Sequence, residues 1–231
     1  MDVDRLLVDG LVAYVVLLLS LTVHEAAHAW AALRGGDPTA YLGGQVSLDP
    51  RPHIRREPFG MVFAPLLFFF MGGVMLGWAS TPLDPRWAYV HPKRAAAMAA
   101  AGPLANLALV LLAALALRGG VAAGWFVPMP VSGVELAAAP GGGVAESVIF
   151  VLSWIFTLNL ILFVFNLIPV PPLDGSSVVG LFISEQNARR LQEWMTQPML
   201  AFGGLVLAWI LMRSIIWPVL GFAIELLYLG A

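Results

Sequence analysis

The stretch from Leu11 to Leu33 is apolar except at a few positions, and its only charged residue is Glu25, set between His24 and His28. As a helix rising about 1.5 Å per residue it is long enough to cross a hydrocarbon core of about 30 Å. A carboxylate inside such a helix is costly and marks a functional site by default. In His24-Glu25-Ala26-Ala27-His28 the histidines stand at i and i+4, on one helix face. Two imidazoles so spaced can grip one metal ion, with the glutamate beside it as general base. Polar packing between helices is the competing reading, but three such groups within five residues have no cheap structural use in lipid.

A catalytic zinc ion takes three protein ligands, the third being His, Asp or Glu here because the chain has no cysteine. The residues alone leave four candidates, His53, His91, Asp174 and Glu225. Asp174 ends the run Asn166-Leu167-Ile168-Pro169-Val170-Pro171-Pro172-Leu173-Asp174-Gly175, more elaborate than a helix stop requires, although an ordinary helix exit with a capping aspartate fits it as well.

The rest of the composition agrees with a lipid solvent. Hydrophobic residues make up 60% of the 231 and charged residues 11%, where soluble domains carry about 25%. Mean hydropathy is +0.86. Twelve Lys and Arg against fourteen Asp and Glu leave a net charge of −2, which excludes a nucleic-acid binder. The acidic lead Asp2, Asp4, Asp9 argues against a cleaved signal peptide, so the first span is expected to be retained.

Further apolar segments run over 59–78, 95–117, 144–168 and 199–229, the last with a kink expected at Pro218. The expectation is an all-α polytopic membrane protein with about four to six transmembrane helices. It includes a re-entrant segment and a small membrane-inserted β-hairpin, for which the alternating residues Tyr41 to Leu48 are the candidate. One integral-membrane domain is expected over 1–231, with its core at about 11–180 and a C-terminal membrane region at 199–229.

The two motifs together resemble the site-2 protease family of intramembrane zinc metalloproteases, in the short form without PDZ or CBS domains. The resemblance rests on His24-Glu25-Ala-Ala-His28 and on Asn166-x-x-Pro169-x-Pro171-x-Leu173-Asp174-Gly175. It extends to Gly43 through Pro50 followed by His53, to Gly77-Trp78-Ala79, and to Gly102-Pro103-Leu104-Ala105-Asn106. Asp49 departs from the family's usual asparagine. The resemblance implies one catalytic zinc ion on His24, His28 and Asp174, with Glu25 as base and a membrane-embedded protein segment as substrate. It also implies that Asn166 lies near the substrate or the developing oxyanion, and it places His53, Gly43 and Gly44 in a stretch expected to meet substrate. Asn106 is expected either to orient a substrate carbonyl or to bond between helices.

If His28 and Asp174 share an ion, their helices run in the same direction and an odd number of crossings separates them. The segment 59–78, broken by Pro65, Gly72, Gly73 and Gly77, is therefore expected to re-enter rather than cross. Re-entry places Arg34, Arg51, Arg55, Arg56, Arg86, Lys93, Arg94, Arg189 and Arg190 on one side, which the positive-inside rule makes cytoplasmic. The chain is thus expected in a prokaryotic cell membrane with its site toward the cytoplasm. An intramembrane metal transporter is the alternative, disfavoured because the histidine motif occurs once and not in two matching halves.

Overall fold

The computed structural model describes residues 3–72, 75–132, 135–195 and 197–229. Helix α1 is Val3–Gly35, followed by the short helices α2 (Thr39–Leu42) and α3 (Pro50–Arg56). A π-helical turn, Phe59–Phe63, leads into α4 (Ala64–Gly72). Then come α5 (Pro85–Val90), α6 (Pro92–Ala122), β1 (Val127–Ser132), β2 (Glu135–Ala138) and α7 (Val144–Asn166). Helices α8 (Asp174–Val178), α9 (Glu185–Met195) and α10 (Pro198–Tyr228) complete the chain.

Among the described residues four helices, α1, α6, α7 and α10, are long and apolar enough to cross a membrane. Their outer faces carry exposed Leu11, Val15 and Leu19 on α1 and Leu104, Leu111 and Leu115 on α6. The polar groups Ser20, His24, Glu25, His28, Asn106, Ser153 and Asn159 are buried between the helices. Apolar side chains outside and polar ones inside is the arrangement a lipid solvent demands.

Helix directions follow from the contacts. Gly35 O accepts from Arg94 Nη1, while His24 meets Asn106, so α1 and α6 are antiparallel. Asn159 on α7 bonds both Asn106 and Ser20, and Ile149 packs near Phe126 at the far end of α6. Helix α7 therefore runs parallel to α1, as a shared ion requires, with α6 as the intervening crossing.

The segment 59–78 does not cross. Trp78 N donates to Gly60 O at 3.1 Å, and the Phe59 and Trp78 rings lie 5.7 Å apart, so the segment ends where it began. The helical part, Phe59–Gly72, is only 14 residues, about 21 Å along its axis. Phe69 reaches Gly10 near the start of α1.

One expectation is corrected. Tyr41 to Leu48 forms no strand. Tyr41 and Leu42 end α2, and Gly44 turns the chain at φ +76°, a conformation that suits glycine. The alternation there was too short to distinguish a strand from a turn. The β-hairpin lies instead at β1–β2, antiparallel with Val127 opposite Ala138, at the other end of the bundle. Tyr228 OH bonds Leu136 O at 2.5 Å, and Ser153 Oγ accepts from Leu136 N, fastening it to α10 and α7. Helix α10 runs from Pro198 to Tyr228 and contains Pro218, the position of the expected kink.

Candidate active site

Helix α1 carries His24, Glu25 and His28, each no more than 5% exposed. His24 Nε2 and His28 Nε2 are 3.0 Å apart. Asp174 Oδ2 lies 3.1 Å from the first and 3.3 Å from the second. The aspartate opens α8, after an irregular stretch that includes a cis Pro171–Pro172 bond. Gly175 is required next to it, since a Cβ there would strike the carbonyls of Leu167 and Ile168. The prolines keep the chain out of helix while it turns back, and the glycine lets it press against the end of α7.

The chemistry of these atoms calls for a cation. Asn159 Nδ2 donates to the carbonyl of Ile155 at 2.8 Å, so its Oδ1 faces Asn106 and accepts from Asn106 Nδ2 at 2.8 Å. Asn106 Oδ1 is then the acceptor facing His24, and His24 Nδ1–H donates to it at 2.6 Å. His28 Nδ1–H donates to Met98 O at 2.8 Å. In its neutral form each imidazole therefore turns a lone pair on Nε2 toward the other and toward a carboxylate oxygen. Three such acceptor atoms brought together from two helices form a ligand set for one positive ion. Zinc ligands at about 2.0–2.1 Å in tetrahedral array stand about 3.3 Å apart, close to the separations seen. The residues present fit zinc.

Helix α6 makes room for this triangle. A Cβ at Gly102 would overlap His24 Nε2 and His28 Nε2, so only glycine permits this approach. Pro103 lies inside α6 and removes the amide that would bond the carbonyl of Ala99, a residue lining the cavity beside the site.

Glu25 Oε2 accepts a hydrogen bond from Thr81 Oγ1 at 2.6 Å. Thr81 also lies 3.0 Å from the Glu25 carbonyl, so one hydroxyl ties the base to the extended chain returning from the re-entrant segment. Glu25, His28 and Asp174 open into a cavity of about 560 Å³, also lined by Thr81, Tyr89, Met98 and Gln192. Gln192 belongs to α9, which is tied to α5 by Arg189 Nε donating to Tyr89 O at 3.0 Å.

The other expected residues are dispersed. Asn106 is fully buried with both ends of its amide in use, so it bonds between helices rather than facing the cavity. Asn166 ends α7, its Nδ2 bonded to Leu162 O at 3.1 Å, outside the cavity lining. His53 is buried away from the metal triangle and bonds the Ser47 carbonyl at 3.0 Å. It holds Val46–Leu48 against α1, beside a shallow space of about 400 Å³ lined also by Val23 and Trp30. Gly43 and Gly44 form the turn leading into that segment. Asp49 caps α3 by accepting from Arg51 N at 2.9 Å, a task asparagine performs equally well. His91 lies at the junction of α5 and α6, and Glu225 is exposed near the end of α10.

Thr81 and Asn159 were missed in the sequence. Thr81 lies in a Pro-rich connector and Asn159 is the polar break in an apolar span. Only the second carries a signal, since a polar residue in a span usually faces the bundle interior.

Apolar spans that enclose two histidines and an aspartate as one ligand group, with a glutamate opening into the cavity beside them, define a membrane-embedded protein with a metal site. The chain belongs to peptidase family M50, the site-2 protease family, whose profile matches residues 12–211. It is 35% identical over 167 residues to the candidate zinc metalloprotease YwhC of Bacillus subtilis, covering 71% of this chain and 66% of that protein. It is 31% identical over 174 residues to the candidate zinc metalloprotease Rip2 of Mycobacterium tuberculosis, covering 75% and 58%. The matched region thus spans somewhat less than two thirds of these curated relatives. No solved structure matches the chain.

Proposed function

We propose that this chain is a zinc-dependent endopeptidase that hydrolyses peptide bonds within or beside transmembrane segments of other proteins. The observation that carries this reading is the triangle of His24, His28 and Asp174 acceptors at ligand separation, with Glu25 opening into the same cavity. Zinc, when bound there, supplies a Lewis acid that polarises the scissile carbonyl and makes water nucleophilic at neutral pH.

The protein's own groups supply the rest. Glu25 takes the proton from the attacking water and delivers it to the departing amine. Thr81 holds the Glu25 carboxylate in one orientation through the 2.6 Å bond. Asn106 and the Met98 carbonyl fix both imidazoles in the tautomer that leaves Nε2 free. The cavity brings water to a depth where lipid would otherwise exclude it. A helical substrate must unwind to present a carbonyl, and Asn166 lies in the motif leading to Asp174, where the emerging segment would pass. Val46–Leu48, held by His53 beside the Gly43-Gly44 turn, is the stretch that an unwound segment would meet along α1.

Nine basic residues from Arg34 to Arg190 belong to the end of the bundle where α1 finishes and α6 starts, and Arg118 to the other. This supports a bacterial cell-membrane protein with its cavity toward the cytoplasm. The test is purified protein in liposomes with a transmembrane substrate, with and without a zinc chelator. Cleavage that stops on chelation and returns with zinc supports the proposal. Zinc flux without cleavage would establish a transporter instead.

A further inference from the structure

Arg213 is the sixteenth of the 31 residues of α10, so about 22 Å of helix lies on either side of it. It is exposed, whereas its neighbour Met212 and Ala208 one turn earlier are buried against Ile168 and Leu173. Among the described residues Arg213 makes no hydrogen bond or ion pair. Trp209 and Trp217, at i−4 and i+4 on the same stripe, are 54% and 71% exposed. Beyond Pro218 the stripe turns inward, and Leu220 and Ile224 pack into the core with Val110 and Phe156. The free stripe therefore ends about one turn past Arg213.

A guanidinium in the middle of a membrane helix needs an anion. Each ready source within reach fails. Snorkelling to headgroups serves cations near helix ends, and Arg213 is as far from both ends as α10 allows. A second copy related by an axis along the membrane normal would set Arg213 at the depth of Arg213. Its Glu225 would lie about 18 Å away along the axis.

We propose that the Phe202–Trp217 stripe of α10 docks a transmembrane helix of a different protein that carries a carboxylate at mid-membrane depth. Arg213 pairs with that carboxylate, and Trp209 and Trp217 pack on the turns above and below it. In hydrocarbon such a pair has no water to compete with it, so it sets both affinity and depth register.

The test uses the full chain in zwitterionic liposomes, with chelator present so that no peptide is cut. The probe is a synthetic Leu/Ala transmembrane peptide with one Glu at mid-length, and association is read by energy transfer between labels. Tighter binding than the all-Leu/Ala peptide, by tenfold or more, is expected. Arg213→Leu should remove the difference, and Arg213→Glu should transfer the preference to a peptide with central Lys. Moving the Glu two turns along the peptide should weaken binding. Equal binding of Glu and Leu/Ala peptides, or a preference that survives Arg213→Leu, overturns the proposal. So does loss of the preference on adding anionic phospholipid, which would assign Arg213 to a headgroup. Unchanged zinc affinity in both variants shows that they are folded.

Discussion

Asn106 Oδ1 accepts a 2.6 Å hydrogen bond from His24 Nδ1, and this bond, deep between α1 and α6, decides which nitrogen of His24 faces the metal triangle. The Asn106 amide is oriented in turn by Asn159, whose own amide is held by Ile155 O and Ser20 Oγ. Three helices thus cooperate to aim one lone pair. Replacing Asn106 with Leu leaves a buried N–H without an acceptor and frees the ring to change tautomer. Zinc affinity should fall about 10–100-fold. Asn159→Leu should act in the same direction but more weakly, because it disturbs the orientation of Asn106 rather than removing the acceptor. Competition with a fluorescent zinc chelator measures both.

Glu25→Gln keeps the shape of the side chain and removes the base. Zinc content should match the parent protein, while cleavage should drop about 10²–10⁴-fold. Metal analysis and a substrate assay on the same preparation check this, and an active variant would end the assignment of Glu25.

Thr81→Val deletes the hydroxyl bonded to Glu25 Oε2 and little else. The carboxylate becomes free to rotate, so kcat should fall about tenfold, the worth of roughly one such hydrogen bond to a charged group, with zinc affinity unchanged. Thr81→Ser should restore most of the loss. Steady-state kinetics on the two variants separate this from a packing defect.

Gly102→Ala adds one methyl group where α6 meets both imidazoles. Since the overlap involves the two metal-facing nitrogens, the triangle must open. Zinc affinity should fall by more than tenfold, and the thermal midpoint of the metal-loaded protein should fall with it. Gly119→Ala, which meets nothing within 4 Å on the same helix, is the control and should be neutral or slightly stabilising.

Asp37, just past the end of α1, sets a pH dependence of stability. Burial pushes its carboxyl up. Hydrogen bonds from Thr39 Oγ1, Asp84 N and Thr39 N outweigh that and hold it below the usual carboxylate range. The folded pKa lies under the unfolded one, so Asp37 contributes its full stabilisation above about pH 4 and loses it as pH falls further. Thermal unfolding followed from pH 6 downward should show a drop below pH 4 that is smaller in Asp37→Asn, which starts less stable.

The apolar spans and the His24-Glu25-x-x-His28 spacing were legible because both are local. A helix of given length either crosses hydrocarbon or does not, and residues at i and i+4 share a face whatever surrounds them. Re-entry of 59–78 was legible indirectly, through the demand that His28 and Asp174 reach the same depth. The Tyr41–Leu48 hairpin failed where the local signal was weakest. Thr81 was invisible because a hydroxyl in a polar connector becomes a positioning group only when the returning connector lies beside Glu25.

The sequence by itself determined the solvent, the long apolar spans and the two histidines and glutamate on one helix face, since these depend on composition and helical period alone. Only the tertiary structure decided that Asp174 completes the triangle and that Asn106 serves His24 rather than the cavity. It also decided that Arg213, in the middle of α10, stands unpaired among the described residues. Each of these depends on which side chains from distant parts of the chain meet at one depth, and in a bundle that is settled by helix direction and close approach, not by spacing along any single helix.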